Sequence, residues 1–116
     1  MILVDTSVWI DHLRRPEPEL DHRLKRRRIL AHPLVIQELS CGHLPPKMLR
    51  LLELLPRAPI ASHPEMMSFI ALHRLAGAGL GAIDAHLLAS ARLAQCRLWT
   101  RDKALLAAAE RLHIAA

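Results

Sequence analysis

Four acidic residues are placed where a carboxylate does chemistry more readily than it does surface solvation: Asp5, Glu38, Asp84 and Asp102. Asp5 directly ends the apolar run Ile2-Leu3-Val4, and Asp102 lies two residues beyond Leu98-Trp99-Thr100. On a helix, the i+3, i+4 and i+7 neighbours of Asp84 are Leu87, Leu88 and Ala91, which places its carboxylate beside a buried stripe. Glu38 shares a helical face with Leu34, Val35 and Cys41, so the pattern turns it inward as well. An ionised carboxylate taken out of water is costly unless a cation or hydrogen bonds compensate. For Asp5 and Asp102 the ordinary alternative is helix capping. For Glu38 and Asp84 it is a buried Arg partner. The sequence leaves both alternatives open.

Several such carboxylates, with no basic residues matched to them along the chain, suit a hard divalent cation with oxygen ligands, Mg²⁺ or Mn²⁺. Such an ion lowers the pKa of a bound water and neutralises charge on phosphoryl oxygens, and two ions ~3.5–4 Å apart can clamp the attacking and leaving oxygens. No protein nucleophile is then required. The hydroxyls of Thr6, Ser7 and Thr100 are placed to support the carboxylates or touch a phosphate, with capping as the ordinary role for Ser7.

Other chemistries find less support. The chain has eight His, but no H-E-x-x-H, and Asp84 and His86 stand about 200° apart around a helix, which argues against shared ligation. A phosphatase-type D-x-D is absent because Ser7 occupies its second position, and no Gly-rich phosphate loop occurs. Cys41 and Cys96 read as buried reduced thiols rather than as a disulfide or zinc site.

The elements that must position these groups alternate between strand and helix. Ile2–Val4 reads as a buried strand, followed by a helix capped by Thr6 or Ser7 and stopped at Arg15-Pro16-Glu17-Pro18. A second helix is expected from about Glu19 towards Arg27, a strand at Ile29–Ala31, and a helix opened by Pro33 and ended by Gly42. Met48, Leu51, Leu52 and Leu55 form one apolar helical face, and a minor strand is expected near Ile60. A helix from Pro64 extends towards Leu75, and another carries Ile83, Leu87, Leu88, Ala91 and Ala94. Then come a strand at Arg97–Thr100, a helix at Lys103–Arg111 and a closing strand at His113–Ala115. Strands separated by helices need crossover connections, so the expected fold class is α/β, a small parallel sheet flanked by helices on both faces. Ligands of such sheets bind beyond the carboxyl ends of the strands, where Asp5 and Asp102 fall.

Length and composition narrow the setting. The 116 residues suit one domain spanning 1–116, with one core. Apolar residues make up 52%, yet no apolar run approaches the ~20 residues of a membrane span, and the N-terminus lacks the basic and apolar regions of a secretory signal. A cytoplasmic protein is expected. The net charge of +5 favours a polyanionic partner. The patch Arg23, Lys25, Arg26, Arg27 and Arg28 is either a phosphate-facing surface or a solvated helix end. With only Trp9, Trp99 and Phe69 as aromatic rings, stacking on bases is not the main handle, and the nucleic-acid backbone is.

Four blocks carry a family resemblance: Met1-Ile-Leu-Val-Asp5-Thr-Ser-Val-Trp-Ile10, His32-Pro-Leu-Val-Ile-Gln-Glu38-Leu, Gly81-Ala-Ile-Asp84-Ala-His-Leu-Leu-Ala-Ser90 and Leu98-Trp-Thr100-Arg-Asp102-Lys. In order and spacing, over nearly the whole chain, they resemble the PIN-domain ribonucleases, and among them the VapC toxins of bacterial toxin–antitoxin pairs. The resemblance implies metal ligation and catalysis by Asp5, Glu38, Asp84 and Asp102, with Thr6 and Thr100 as supporting polar residues. It further implies a homodimer, cleavage of structured RNA such as transfer or ribosomal RNA, and inhibition by a VapB-type antitoxin that places a basic side chain among the acids. Gln37 departs from the family, whose members often have Gly before the glutamate, but it removes no ligand. Two other readings stand beside this one: a non-catalytic nucleic-acid-binding module, and a housekeeping RNA-processing nuclease without an antitoxin.

Overall fold

The computed structural model describes residues 1–116. Its elements are β1 (Ile2–Val4), α1 (Thr6–Arg14), α2 (Pro18–Lys25), β2 (Ile29–Leu30), α3 (Pro33–Ser40), α4 (Pro46–Leu54), α5 (His63–Leu72), α6 (Ala82–Ala94), β3 (Arg97–Trp99) and α7 (Lys103–Arg111). The run Ile2-Leu3-Val4 has no polar side chain to face water, and all three residues are buried. It lies at the centre of a parallel sheet of order β2-β1-β3, with Ile2 opposite both Ile29 and Arg97.

Single bridges extend the sheet at both edges, Ala31 to Arg57 and Leu98 to Ala115, both parallel. Counted with these positions, the spatial order follows chain order 3-2-1-4-5, so the direction of winding reverses between β1 and β3. Right-handed crossovers then place α1 to α4 on one face and α5 to α7 on the other. The packing agrees, since α1 contacts α3 and α3 contacts α4, while α5 contacts α6 and α6 contacts β3. The reversal opens the crevice in which ligands of doubly wound sheets bind.

One cluster of buried apolar side chains spans both faces, with Trp9, Leu20, Leu52, Leu87, Leu88, Leu98 and Leu105 fully buried. Truncating a buried ring such as Trp9 typically costs about 3–5 kcal/mol. A polar tie joins the two layers. His32, the N-cap of α3, accepts the Leu34 N–H at Nδ1 (3.0 Å), which leaves Nε2 to donate to Ser90 on α6 (3.0 Å). Burial, aided by His86, lowers the His32 pKa to about 4, so the ring is neutral at pH 7.

Several sequence expectations shift. The closing strand is one bridge at Ala115, and the minor strand falls at Arg57 rather than at exposed Ile60. Helix α2 ends at Lys25, because Arg27 takes a left-handed φ of 56° that ends the helix. Leu75 is buried but lies beyond α5, whose start is a capping box between Ser62 and Glu65. Helix α1 is capped by Asp5, and neither Thr6 nor Ser7 is its cap. Cys96 is buried, but Cys41 is exposed at the end of α3, where the chain leaves the core. Glu38 is also exposed, because the buried stripe of α3 is Val35, Ile36 and Leu39. No helix is long and apolar enough to cross a membrane.

Candidate metal centre

The four acids arrive at the carboxyl edge of the sheet by different routes. Asp5 follows β1 and caps α1. Asp102 follows β3 and caps α7. Asp84 is the third residue of α6, and Glu38 stands on α3 across the sheet. Glu38 and Asp84 thus come from opposite helical layers, while Asp5 and Asp102 come from the two strands between them.

A shared arrangement appears at the atoms. Asp5 Oδ2 accepts hydrogen bonds from Ser7 Oγ (2.7 Å), Thr100 Oγ1 (2.7 Å) and the Ser7 N–H (3.4 Å). Asp84 Oδ2 accepts the Gly81 N–H (3.1 Å), and Asp102 Oδ1 accepts the Leu105 N–H (2.9 Å). The second oxygen of each carboxylate is bound by no protein donor, and neither oxygen of Glu38 is. Capping and ligation are therefore compatible roles: one oxygen holds the helix start and the other stays available. Three helix N-termini lend their positive ends to this cluster of negative charge.

Thr100 and Ser7 weld the two strand ends together. Thr100 Oγ1, buried, donates to Asp5 and accepts the Asp102 N–H (3.1 Å). Ser7 Oγ donates to Asp5 and accepts the Arg101 N–H (3.0 Å). Thr6 has no part in this network, because its hydroxyl is buried without a hydrogen-bond partner.

The acids also sense one another. Burial raises the Asp84 pKa from its ordinary value, the Gly81 N–H opposes the rise, and the charges of Asp5, Asp102 and Glu38 add to it. Yet no three acidic, His or Cys side chains are drawn together tightly enough to form a finished metal cage. Repulsion between unneutralised carboxylates opposes closer approach. The alternative of a buried Arg partner fails for Glu38 and Asp84, since every ion pair in the protein engages other acids: Asp11, Glu17, Glu19, Asp21 and Glu53. An all-oxygen, anionic donor set with no resident basic partner fits a hard divalent cation.

Arg101, which sequence reasoning passed over, stands between Thr100 and Asp102 in the chain and pairs with neither. Its guanidinium binds Asp11 (2.7 Å) and Glu17 (2.6 Å) and lies 5.9 Å from the Trp99 ring centre. Those partners are 90 and 84 positions distant, so no local pattern could reveal them. The His32–Ser90 tie was equally hidden, although a His directly before a Pro that opens a helix is a legible cap position.

Compared with known proteins, the chain matches the PIN domain family over residues 2–111. It is 48% identical over 111 residues to ribonuclease VapC32 of Mycobacterium tuberculosis, in two strains, an overlap covering 93% of this chain and 90% of the relative. Its fold is similar to PAE2754 from Pyrobaculum aerophilum, with a TM-score of 0.63, 21% identity, and 96% of this chain and 85% of that one covered. It is also similar to FitAcB from Neisseria gonorrhoeae, again with a TM-score of 0.63, at 22% identity and 95% and 94% coverage. At these identities the two structures bear on the fold alone.

Proposed function

The chain belongs to the PIN-domain family, beside the VapC ribonucleases, and we propose that it is a metal-dependent endoribonuclease toxin that cuts structured RNA such as transfer or ribosomal RNA. The observation that carries this reading is a set of four carboxylates, delivered by both helical layers and both central strands, with free oxygens and no basic partner. In it Asp5, Glu38, Asp84 and Asp102 hold Mg²⁺ or Mn²⁺. The bound ion supplies Lewis acidity at the phosphoryl group and a water of lowered pKa.

The protein's own part is positional. Ser7 and Thr100 saturate one oxygen of Asp5 and so aim the other, and Thr100 sets Asp102 against Asp5 through the Asp102 N–H. Glu38, exposed and without a hydrogen bond, is the most adjustable of the four and is the one able to follow a bound cation. The same charge suits a VapB-type antitoxin, because a guanidinium can bridge carboxylates that otherwise hold metal. For the homodimer, the support is a groove of about 440 Å³ between α5 and α6, which includes Phe69, Leu72 and Leu93 in its lining. The proposal places one catalytic domain in the cytoplasm.

Cleavage of total RNA by the purified chain tests this reading, with Mg²⁺, Mn²⁺ or EDTA and with Asp5→Asn and Asp84→Asn alongside. Discrete fragments that vanish with EDTA and with either variant are the expected outcome. Intact RNA in every lane, from folded protein free of antitoxin, would instead favour a binding module that does not cut.

A further inference from the structure

Glu38 lines a cleft of about 410 Å³ together with Ile10, Leu13 and Arg14 of α1, Leu39 of α3, and His43 just beyond α3. Its wall is mainly apolar, with Arg14, Glu38 and His43 as its polar side chains. Ile10 is 38% exposed, although α1 buries Val8 and Trp9 beside it. Arg14 and Glu38 are opposite charges lining one cavity, yet they form no ion pair with each other or with any other side chain. Arg14 also borders the adjoining polar cleft of about 590 Å³, which Arg15, Arg101, Asp11 and Glu17 line. Arg101 is paired there with Asp11 and Glu17, so Arg14 and Arg15 are the uncommitted cations of the two clefts, and the charge of Glu38 reaches Asp84 of the acidic set.

From this we infer that the cleft between the end of α1 and the end of α3 binds one nucleotide of the RNA strand next to the cut. Its base lies on Ile10, Leu13 and Leu39, and its phosphate on Arg14. The inference rests on the RNA-cutting reading of the acids. A guanidinium is suited to a phosphate by its fork of donors. A carboxylate kept apart from it can hold metal while the guanidinium holds the anion. The volume lies in the ~300–1,000 Å³ range of small-ligand clefts with apolar walls and few polar groups. Arg14 also lies in the last turn of α1, where a cation suits the helix dipole. That role alone would leave RNA binding untouched by its removal.

The test is binding of a labelled single-stranded RNA of about 12 nucleotides to Asp84→Asn protein, which should leave the RNA uncut, measured by fluorescence anisotropy across salt concentrations. Arg14→Ala, added to that background, is expected to weaken binding about tenfold or more and to reduce the slope of log affinity against log salt by about 0.7. Arg14→Lys should keep the slope. Ile10→Ser should weaken RNA binding but leave binding of inorganic polyphosphate unchanged, because only the RNA carries a base. Arg28→Ala, at the opposite end of the sheet, is the charge control, and melting curves confirm folding of every variant. If Arg14→Ala behaves like Arg28→Ala, or if Ile10→Ser leaves RNA binding unchanged, the proposal is overturned, and a side chain of a protein partner becomes the better occupant. RNA that is bound as expected but never cut by the parent chain would overturn the nuclease reading and leave this site standing.

Discussion

Two groups of acids lie within a few residues of each other in this protein and are treated in opposite ways. Asp11 and Glu17 are both held by Arg101, whose charge those bonds keep firmly protonated. Asp5 and Asp102, joined to the same loop, receive only hydroxyl and backbone donors. Lys and Arg number 16 against 11 acids, so a shortage of cations is not the reason. The side chain next to Asp102 is itself an arginine, and it pairs elsewhere. The difference teaches that this fold pairs the acids at the end of α1 with Arg101 and leaves the four at the carboxyl edge of the sheet without a basic partner.

The largest expected effect comes from breaking the unpaired group. Asp84→Asn removes a half-buried carboxylate that three neighbours repel, so cleavage should vanish while the metal-free protein melts no lower than the parent. In differential scanning calorimetry, Mg²⁺ or Mn²⁺ at about 100 times its dissociation constant should stabilise the parent by ~2.7 kcal/mol. That shift should disappear in Asp84→Asn and survive in Asp11→Asn. Equal shifts in the two variants would erase the distinction between the groups.

The His32–Ser90 pair sharpens the comparison, because it is polar, buried and fully partnered within the protein. Its sign follows from a depressed pKa. The stability His32 contributes is complete above the unfolded value near 6.5 and is lost as pH falls towards about 4. Urea unfolding across that window should lose on the order of 2 kcal/mol more in the parent than in His32→Asn, and divalent metal should leave this difference unchanged.

Thr100→Val takes away the hydroxyl that serves both Asp5 and Asp102. About 1–2 kcal/mol of stability should go with it, and a ten- to hundredfold loss of cleavage should follow from misplaced ligands. Activity near the parent's would mean that Ser7 alone orients Asp5. The smallest effect belongs to Arg101→Met, since partly exposed ion pairs contribute about 0–1 kcal/mol each. The metal-induced shift should be untouched. A larger one would show that Arg101 screens the open acids after all.

Local chemistry made much of this legible in advance. Apolar run lengths, proline and glycine positions and helical stripes locate β1, α1, α4, α6 and α7, and the acids at the strand ends follow from the parallel-sheet rule applied to Asp5 and Asp102. The same reasoning misjudged Glu38 and Cys41, because a stripe on a short helix does not say how far its edge reaches into solvent. It could not say that the buried hydroxyl of Thr6 makes no hydrogen bond to the network that Ser7, one residue along α1, joins.

By itself, then, the sequence determined which acids stand at element ends, since periodicity, caps and breakers act over a few residues. Only the tertiary structure decided that Thr100 would reach Asp5 across 95 positions, that Arg101 would turn to Asp11 and Glu17, and that Glu38 and Asp84 would converge from opposite layers. Those choices depend on the 3-2-1-4-5 winding of the sheet. Charge pairing acts through space over a few ångströms, and separation along the chain says nothing about which groups the fold brings that close.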